Sequence, residues 1–346
     1  MTRRSRPSPV TVAVLGAGNF GTALAQVLAK EGREVVLWDH FPQVMEDIRR
    51  HRENRRFLPG VRLHPGLRVA ASPAECVAGA SLVLICTTSP FAVTTLAQAV
   101  PRLERSAILL NTAKGFAPRS RVRLPVALAQ ASPGHACAHL AGPVIANELA
   151  RGQPAAIVLA ATDRRVAARV ADWLAGSALL PAITTDMTGA VLGGILKNVY
   201  AILLGGLDVL RGGRNLEAAV VTASVREMAA IATSCGSTTT TLYGLAGLGD
   251  LVATGFSAHS HNRALGQRLA AGQSAKAIAR KTGWLPEGVR AARTACALAR
   301  AGGVPAPLAN LVRCWIAGTA PTLDGVLRCL RSGVDYPSPT PRSKCP

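Results

Sequence analysis

Aromatic side chains are scarce: Phe, Trp and Tyr together make up 4% of the 346 residues. That scarcity argues against a module that reads nucleic acid by stacking bases on aromatic rings. The eight cysteines, at positions 76, 86, 137, 235, 296, 314, 329 and 345, form no CxxC pair. Without such spacing there is no zinc framework and no redox motif, and the thiols read as free, in a reducing cytoplasm. No secretory leader is evident, because the apolar run Val10–Leu15 passes straight into a glycine-rich turn. No internal repeat is present.

Acidic residues are also few, 19 against 39 Lys and Arg, for a net charge of +20. Only six of the cations are Lys. Local runs lie at Arg3–Arg6, Arg49–Arg56 and Arg119–Arg123. A surface of this sign attracts phosphates, nucleotides, nucleic acid or anionic lipid. The scatter of the cations, alongside heavy Ala, Gly and Pro use, favours compositional bias and a solvated face. No nucleic-acid partner is therefore expected.

What the chain has in quantity is apolar material, 49% of its residues, enough for cores built from Ala, Val, Leu and Ile. Its length suggests two domains. One stretch, Met187–Leu207, is long and apolar enough to span a membrane. Lys197 at its centre and its several glycines suit a buried helix of a soluble domain better, so no membrane span is expected.

The basic, Pro- and Ser-rich residues 1–9 read as a disordered tail, as do residues 332–346. Between them the pattern changes once. Up to residue 185, short β-branched runs alternate with helix-length segments. Strands are expected at Thr11–Leu15, Glu34–Trp38, Leu82–Cys86, Ala107–Asn111, Ala138–Ala141, Ala155–Ala160 and Leu179–Thr184. This is the signature of a Rossmann-type, doubly wound parallel sheet, an α/β domain over residues 10–185. Residues 186–331 show only Ala/Leu-rich segments broken by glycine and read as an all-α substrate domain. A cleft is expected at the join.

Three groups of residues carry chemistry. Gly16-Ala17-Gly18-Asn19-Phe20-Gly21 fits GxGxxG, follows a strand, opens a helix and precedes a second strand ending at Asp39. In that context Gly16 permits the tight turn, Gly18 the approach of a pyrophosphate and Gly21 the packing of helix on strand. The helix N-terminus supplies free N–H groups to the phosphates. Asp39 suits a ribose 2′-hydroxyl, hence NAD, whereas His40 and the Arg49–Arg56 run suit a 2′-phosphate, so NAD and NADP both stay open.

The second group centres on Lys197, inside Gly193–Tyr200. Burial lowers a lysine pKa and makes it a proton donor or acceptor near neutral pH; the alternative is a lysine that snorkels to the surface. Asp250, in Gly247–Leu251, reads as a turn carboxylate that pairs with Lys197 or binds a substrate hydroxyl, or else as a helix cap. The third group, Ser257–Arg263, offers hydroxyls, imidazoles, an amide and a guanidinium ahead of a helix, a phosphate cradle. No ligand set for a metal accompanies His259 and His261.

These residues together resemble the bacterial NAD(P)-dependent glycerol-3-phosphate dehydrogenase family over about residues 10–330. The stretches that carry it are Val14–Ala25, Glu34–Trp38, Asn54–Pro59, Ala113–Gly115, Gly142–Pro143, Gly193–Asn198, Ala246–Leu251, Ser260–Gly266 and Glu287–Gly288. The resemblance implies reversible hydride transfer between NAD(P)H and dihydroxyacetone phosphate, in service of phospholipid synthesis, and a homodimer. It implies dinucleotide contacts at Asn19, Phe20, His40, Ala146, Leu285 and Glu287, with Lys114 and His261 meeting both cofactor and substrate. It implies substrate contacts at Gly142, Val144, Asp250, Ser260 and Asn262, and makes Lys197 the catalytic lysine. The chain departs from the family at four places. Val144 stands for Ser or Thr, His261 for Arg, Ala113 for Thr, and Ala223-Ser224 for Arg-Gly. Arg263 is the nearest replacement for the missing guanidinium. The departures keep two alternatives open: a diverged enzyme reducing another small carbonyl compound, and a non-catalytic NAD(P)-binding sensor.

Overall fold

The computed structural model describes residues 10–117 and 122–332. The two expected tails, apart from Ser332, and the first part of the Arg119–Arg123 run lie outside the described residues.

Among the described residues ten strands form: β1 Thr11–Leu15, β2 Glu34–Trp38, β3 Glu53–Asn54, β4 Leu58–Arg62, β5 Arg68–Val69, β6 Leu82–Ile85, β7 Ile108–Asn111, β8 Ala136–Ala141, β9 Ala155–Ala161 and β10 Leu179–Thr184. Eight of them make one sheet in the order β10-β9-β8-β7-β6-β1-β2-β5, while β3 and β4 form a separate hairpin. The order reverses between β1 and β6, so the crevice beyond their C-terminal ends is the place where a doubly wound sheet binds ligands. β1, β6 and β7 are buried on both faces. Their side chains alternate between two cores: Val12, Val14, Leu82 and Leu84 in one, Ala13, Leu15, Val83 and Ile85 in the other. Burial on both faces explains why these strands read as unbroken apolar runs rather than alternating ones.

The sheet is not wholly parallel. β9 pairs antiparallel with β8, and β10 then runs parallel to β9. The connection from Ala141 to Ala155 contains only the five-residue helix Ala146–Ala150. A parallel crossover must carry the chain back along a strand of about 20 Å, whereas five helical residues span about 7.5 Å. The chain therefore re-enters from the same end. The short strands β3, β4 and β5 give no periodic signal and were not expected.

The chain packs as two compact units. The first runs to Ile195 and takes up Gly236–Ala253; the second comprises Leu196–Cys235 and the chain from Thr254 on. The helix Met187–Val209 begins in the first unit, where Gly193 lies so near the Ala246 carbonyl that a Cβ would come within 2.3 Å of it. Residues 239–255 are also more ordered than a turn: the helix Thr239–Tyr243, a π-type turn Leu245–Gly249 and the helix Asp250–Gly255 follow one another.

In the second unit, helices Met187–Val209 and His261–Ala270 meet backbone to backbone. A Cβ on Gly205 would lie 2.0 Å from the Arg263 carbonyl oxygen, and one on Gly266 would lie 1.8 Å from that of Ile202. The buried carboxylate of Glu227 accepts from Tyr200 Oη at 2.9 Å and from the amides of Leu308 and Ala309 at 3.0 and 2.8 Å, capping the helix Pro307–Ala317. Met187–Val209 is long and apolar enough to cross a membrane, and its most apolar window is wholly buried in the protein.

Candidate functional site

The glycine loop after β1 is held at one residue. Ala17 donates its amide to Asp39 Oδ2 at 2.6 Å. Its carbonyl accepts from Asn54 Nδ2 at 2.7 Å and Thr22 Oγ1 at 3.1 Å. Asn54 is fully buried and also donates to Thr22 Oγ1 at 2.8 Å. Asp39 Oδ1 accepts from the Phe41 amide at 3.0 Å. Asp39 therefore spans from the end of β2 to the loop, a positioning task that its expected ribose contact did not include. The hairpin β3–β4 carries Asn54 to this place, and it was missed because β3 has two residues and β4 contains Pro59 and Gly60.

The three glycines have different reasons to be glycine. Gly16 sits at φ +115°, and a Cβ there would lie 2.6 Å from Thr87 N. A Cβ on Gly21 would lie 2.0 Å from the Gly16 carbonyl oxygen. Gly18 has φ −65°, open to any residue, and a Cβ there would meet nothing within 4 Å. Neither backbone nor packing demands glycine at position 18, and the space beside that backbone is open. Gly18 is also the N-cap of the helix Asn19–Lys30 and gives it no side-chain cap, which leaves the first-turn amides open to an anion. The residues present thus fit a dinucleotide pyrophosphate. Gly18→Ala is expected to leave the melting temperature unchanged and to raise the Kd for NADH about tenfold or more, worth about 1.4 kcal/mol. Gly21→Ala is expected to do the reverse, lowering stability by about 1–3 kcal/mol through overpacking. Thermal melts and NADH titrations of the two variants separate these effects.

Around the loop, Asn19 Nδ2 donates to the Phe57 carbonyl at 2.7 Å and to Asn147 Oδ1 at 2.9 Å. Phe20 is half-buried against the core, and Ala146 is buried at the start of its short helix. His40 is exposed with its ring against Phe41. The Arg56 guanidinium lies 4.6 Å from the Phe41 ring centroid and 5.0 Å from that of Phe57.

Elsewhere in the same unit, Lys114 follows β7. Its Nζ lies 2.8 Å from Asp250 Oδ2, and the two side chains are 26% and 3% exposed. Asp250 is the first residue of its helix, so the expected turn is helical and the carboxylate is buried. Ser89 Oγ donates to the Lys114 carbonyl at 3.0 Å. Behind Lys114, the buried Asn111 side chain brackets Ala113, donating to its carbonyl at 2.9 Å and accepting from its amide at 3.3 Å. His139, opposite Asn111 in the register of β7 and β8, places Nδ1 2.8 Å from Asn111 Nδ2 and 3.0 Å from the Asn111 carbonyl oxygen. Burial is the main reason its pKa is pushed down to about 4, with Lys114 adding to the fall. Gly142, at φ +108°, leads from β8 into Pro143, which lies against Gly249. Val144 is half-buried and packs against the core. Asn111 and His139 were not singled out from sequence, because a lone polar residue inside an apolar strand has no periodic signature.

In the second unit, Lys197 is 5% exposed, and its Nζ donates to Thr254 Oγ1. It does not snorkel. Next to it, Asn198 Oδ1 accepts from Asn262 Nδ2 at 2.9 Å, and Asn262 Oδ1 accepts from the Gly288 amide at 2.9 Å. Asn262 thereby ties the lysine helix to the start of the helix Glu287–Ala301. Ser260 is the N-cap of His261–Ala270, its hydroxyl accepting from the Arg263 amide. Arg263 Nη2 lies 2.8 Å from Asp208 Oδ2, so its guanidinium is paired within the unit. His261 is exposed with its ring 4.9 Å from that of Trp284, edge to face. Leu285 is half-buried and Glu287 exposed. Among the described residues no group of three or more His, Cys, Asp or Glu is placed to hold a metal ion.

A doubly wound sheet with an open glycine loop at its switch point, joined to a helical unit with a buried lysine, defines the class of two-domain pyridine-nucleotide dehydrogenases. Residues 11–167 match the family model of the NAD-dependent glycerol-3-phosphate dehydrogenase N-terminus, and residues 186–323 that of its C-terminus. The chain is 37% identical over 319 residues to glycerol-3-phosphate dehydrogenase [NAD(P)+] of Parvibaculum lavamentivorans, covering 92% of this chain and 96% of the relative. It is 38% identical over 312 residues to the enzyme of the same name from Anaeromyxobacter sp. (strain K), covering 89% and 94%. Among solved structures, glycerol-3-phosphate dehydrogenase of Coxiella burnetii superposes with a TM-score of 0.84 at 28% identity, over 94% of this chain and 99% of that one. The chain belongs to the NAD-dependent glycerol-3-phosphate dehydrogenase family.

Proposed function

We propose that this protein is an NAD(P)-dependent glycerol-3-phosphate dehydrogenase that interconverts dihydroxyacetone phosphate and sn-glycerol 3-phosphate in the cytoplasm, supplying the glycerophospholipid backbone. The observation that carries the proposal is a lysine kept 5% exposed inside an apolar helix, its Nζ held by Thr254, in a chain of this family. The nicotinamide, when bound, supplies the hydride. Gly18 and the amides after it hold the pyrophosphate, and Asn19, Phe20, His40, Ala146, Leu285 and Glu287 the rest of the dinucleotide.

Lys197 is assigned the proton. An alkoxide forms at the substrate's C2 oxygen as the carbonyl is reduced; Nζ donates to that oxygen and takes the proton back in the reverse direction. Thr254 Oγ1 aims the ammonium. Lys114 and Asp250 bind the hydroxyls of the three-carbon chain, Lys114 also reaching the cofactor, with Gly142 and Val144 beside them. Ser260, His261 and Asn262 receive the phosphate at the start of their helix. The seven described cysteines are free thiols, in keeping with a reducing compartment.

The first experiment follows NADH and NADPH oxidation at 340 nm with dihydroxyacetone phosphate. Turnover with either cofactor supports the reading and sets the cofactor preference; cofactor binding without turnover sinks it. One observation favours a second reading. With Arg263 paired to Asp208 and His261 turned to Trp284, the phosphate end has no guanidinium among the expected ligands, as suits a smaller or uncharged carbonyl substrate. Faster turnover of a non-phosphorylated 2-oxo compound would select that reading. Size-exclusion chromatography with light scattering tests the homodimer.

A further inference from the structure

β7 and β8 are parallel neighbours inside the sheet and begin side by side at the end of the strands opposite the glycine loop. A cavity of about 290 Å³ opens there, lined among others by Arg105, Ser106, Arg165 and Arg169. Two of the guanidiniums have side-chain partners, and Arg105 stands on a hydrogen-bonded turn. Arg105 and Ser106 are the middle residues of a turn closed by the Ala107 amide on the Glu104 carbonyl at 2.9 Å. The same carbonyl lies 3.2 Å from His135 Nε2, whose other ring nitrogen is 2.8 Å from Ser132 Oγ. Arg165 is gripped by Asp163 through Nε and Nη2 at 3.0–3.2 Å. Asp163 also caps the helix Arg164–Leu174. One turn on, the Arg169 guanidinium lies 4.9 Å from the Trp173 ring centroid.

Asp163 offsets one of the three positive charges. No carboxylate lines the cavity, and among the described residues Arg105 and Arg169 form no ion pair. The three guanidiniums that line the cavity leave it a surplus of positive charge, which suits an anion. Asp163 and the Trp173 ring orient two of the three side chains, Arg165 and Arg169. The planar fork of Arg matches phosphate oxygens two at a time.

We propose that this cavity binds a small phosphorylated metabolite, at a site separate from the glycine loop and from the Lys114–Asp250 pair. It gives part of the +20 charge a task that the dehydrogenase reaction does not. β7 and β8 run from this cavity to the Lys114 loop and to Gly142, so its occupant sits at the far end of the strands that carry those residues.

The test is calorimetric titration of inorganic pyrophosphate at 150 mM NaCl, with the protein saturated in NADH so that the glycine loop is filled. Wild type is compared with the double variant Arg105→Gln/Arg169→Gln. The expected result is one saturable binding event in wild type that weakens at least tenfold in the variant, with equal NADH affinity and equal melting temperature in both. Identical isotherms in the two proteins, or no saturable binding at that salt concentration, overturn the proposal.

Discussion

Lys197→Met is expected to slow turnover of dihydroxyacetone phosphate about 10²–10⁴-fold while leaving NADH binding and folding intact, the range set by removing one positioned proton donor. Methionine keeps the volume and the apolar surroundings of the helix interior, where neighbours such as Leu196, Val199, Ala201 and Ile202 are buried. It removes the ammonium that Thr254 holds. The loss should fall on kcat rather than on the Kd for NADH, because the lysine acts only on the oxygen that gains charge. Stopped-flow single turnovers separate the two. A variant that keeps turnover within tenfold of wild type would show that the proton comes from elsewhere.

His139 is expected to contribute stability that is lost as pH falls from about 6.5 toward 4. Its imidazole is fully buried between Asn111 and the apolar core, and burial holds its pKa down at about 4, against about 6.5 in an unfolded chain. Between those two values the unfolded chain binds a proton that the folded protein refuses. Stability therefore rises with pH across that window, is complete above about pH 6.5 and is lost as pH falls toward 4. The shift of about 2.5 pH units corresponds to about 3 kcal/mol. Glu227 opposes this trend, since burial raises its pKa and its carboxyl gains protons on folding. The comparison that isolates His139 is urea unfolding of wild type and His139→Gln at pH 7.5 and 5.0. The gap between the two proteins should narrow, or reverse, at the lower pH. A gap that does not change with pH would remove His139 from the account.

The two expectations draw on residues of different legibility. Lys197 stands out in the sequence because a charge in the middle of a long apolar helix is costly anywhere, so its presence calls for a partner or a task. His139 is one polar residue at the centre of an apolar strand, and nothing in its neighbours marks it. Only the register of β7 against β8 sets it opposite Asn111 and behind Lys114.

The linear chain determined the elements whose signal is local. Runs of Val, Leu and Ile bounded by glycine defined the main strands, and β2 and β10 fall where the periodicity puts them. The GxGxxG turn announced the glycine loop because its three glycines lie within six residues, where a strand passes into a helix. Long Ala/Leu segments, also a local signal, gave the helices of the second half. Tertiary structure decided the rest. The reversal of β9 follows from how little helix separates it from β8. The grip on Ala17 needs Asp39 and Asn54, 22 and 37 residues further along the chain. Asp250 meets Lys114 across 136 residues, and Arg263 pairs with Asp208. Each of these depends on which loops the sheet order and helix packing bring together, and a side chain's partner at that distance leaves no periodic trace in the sequence.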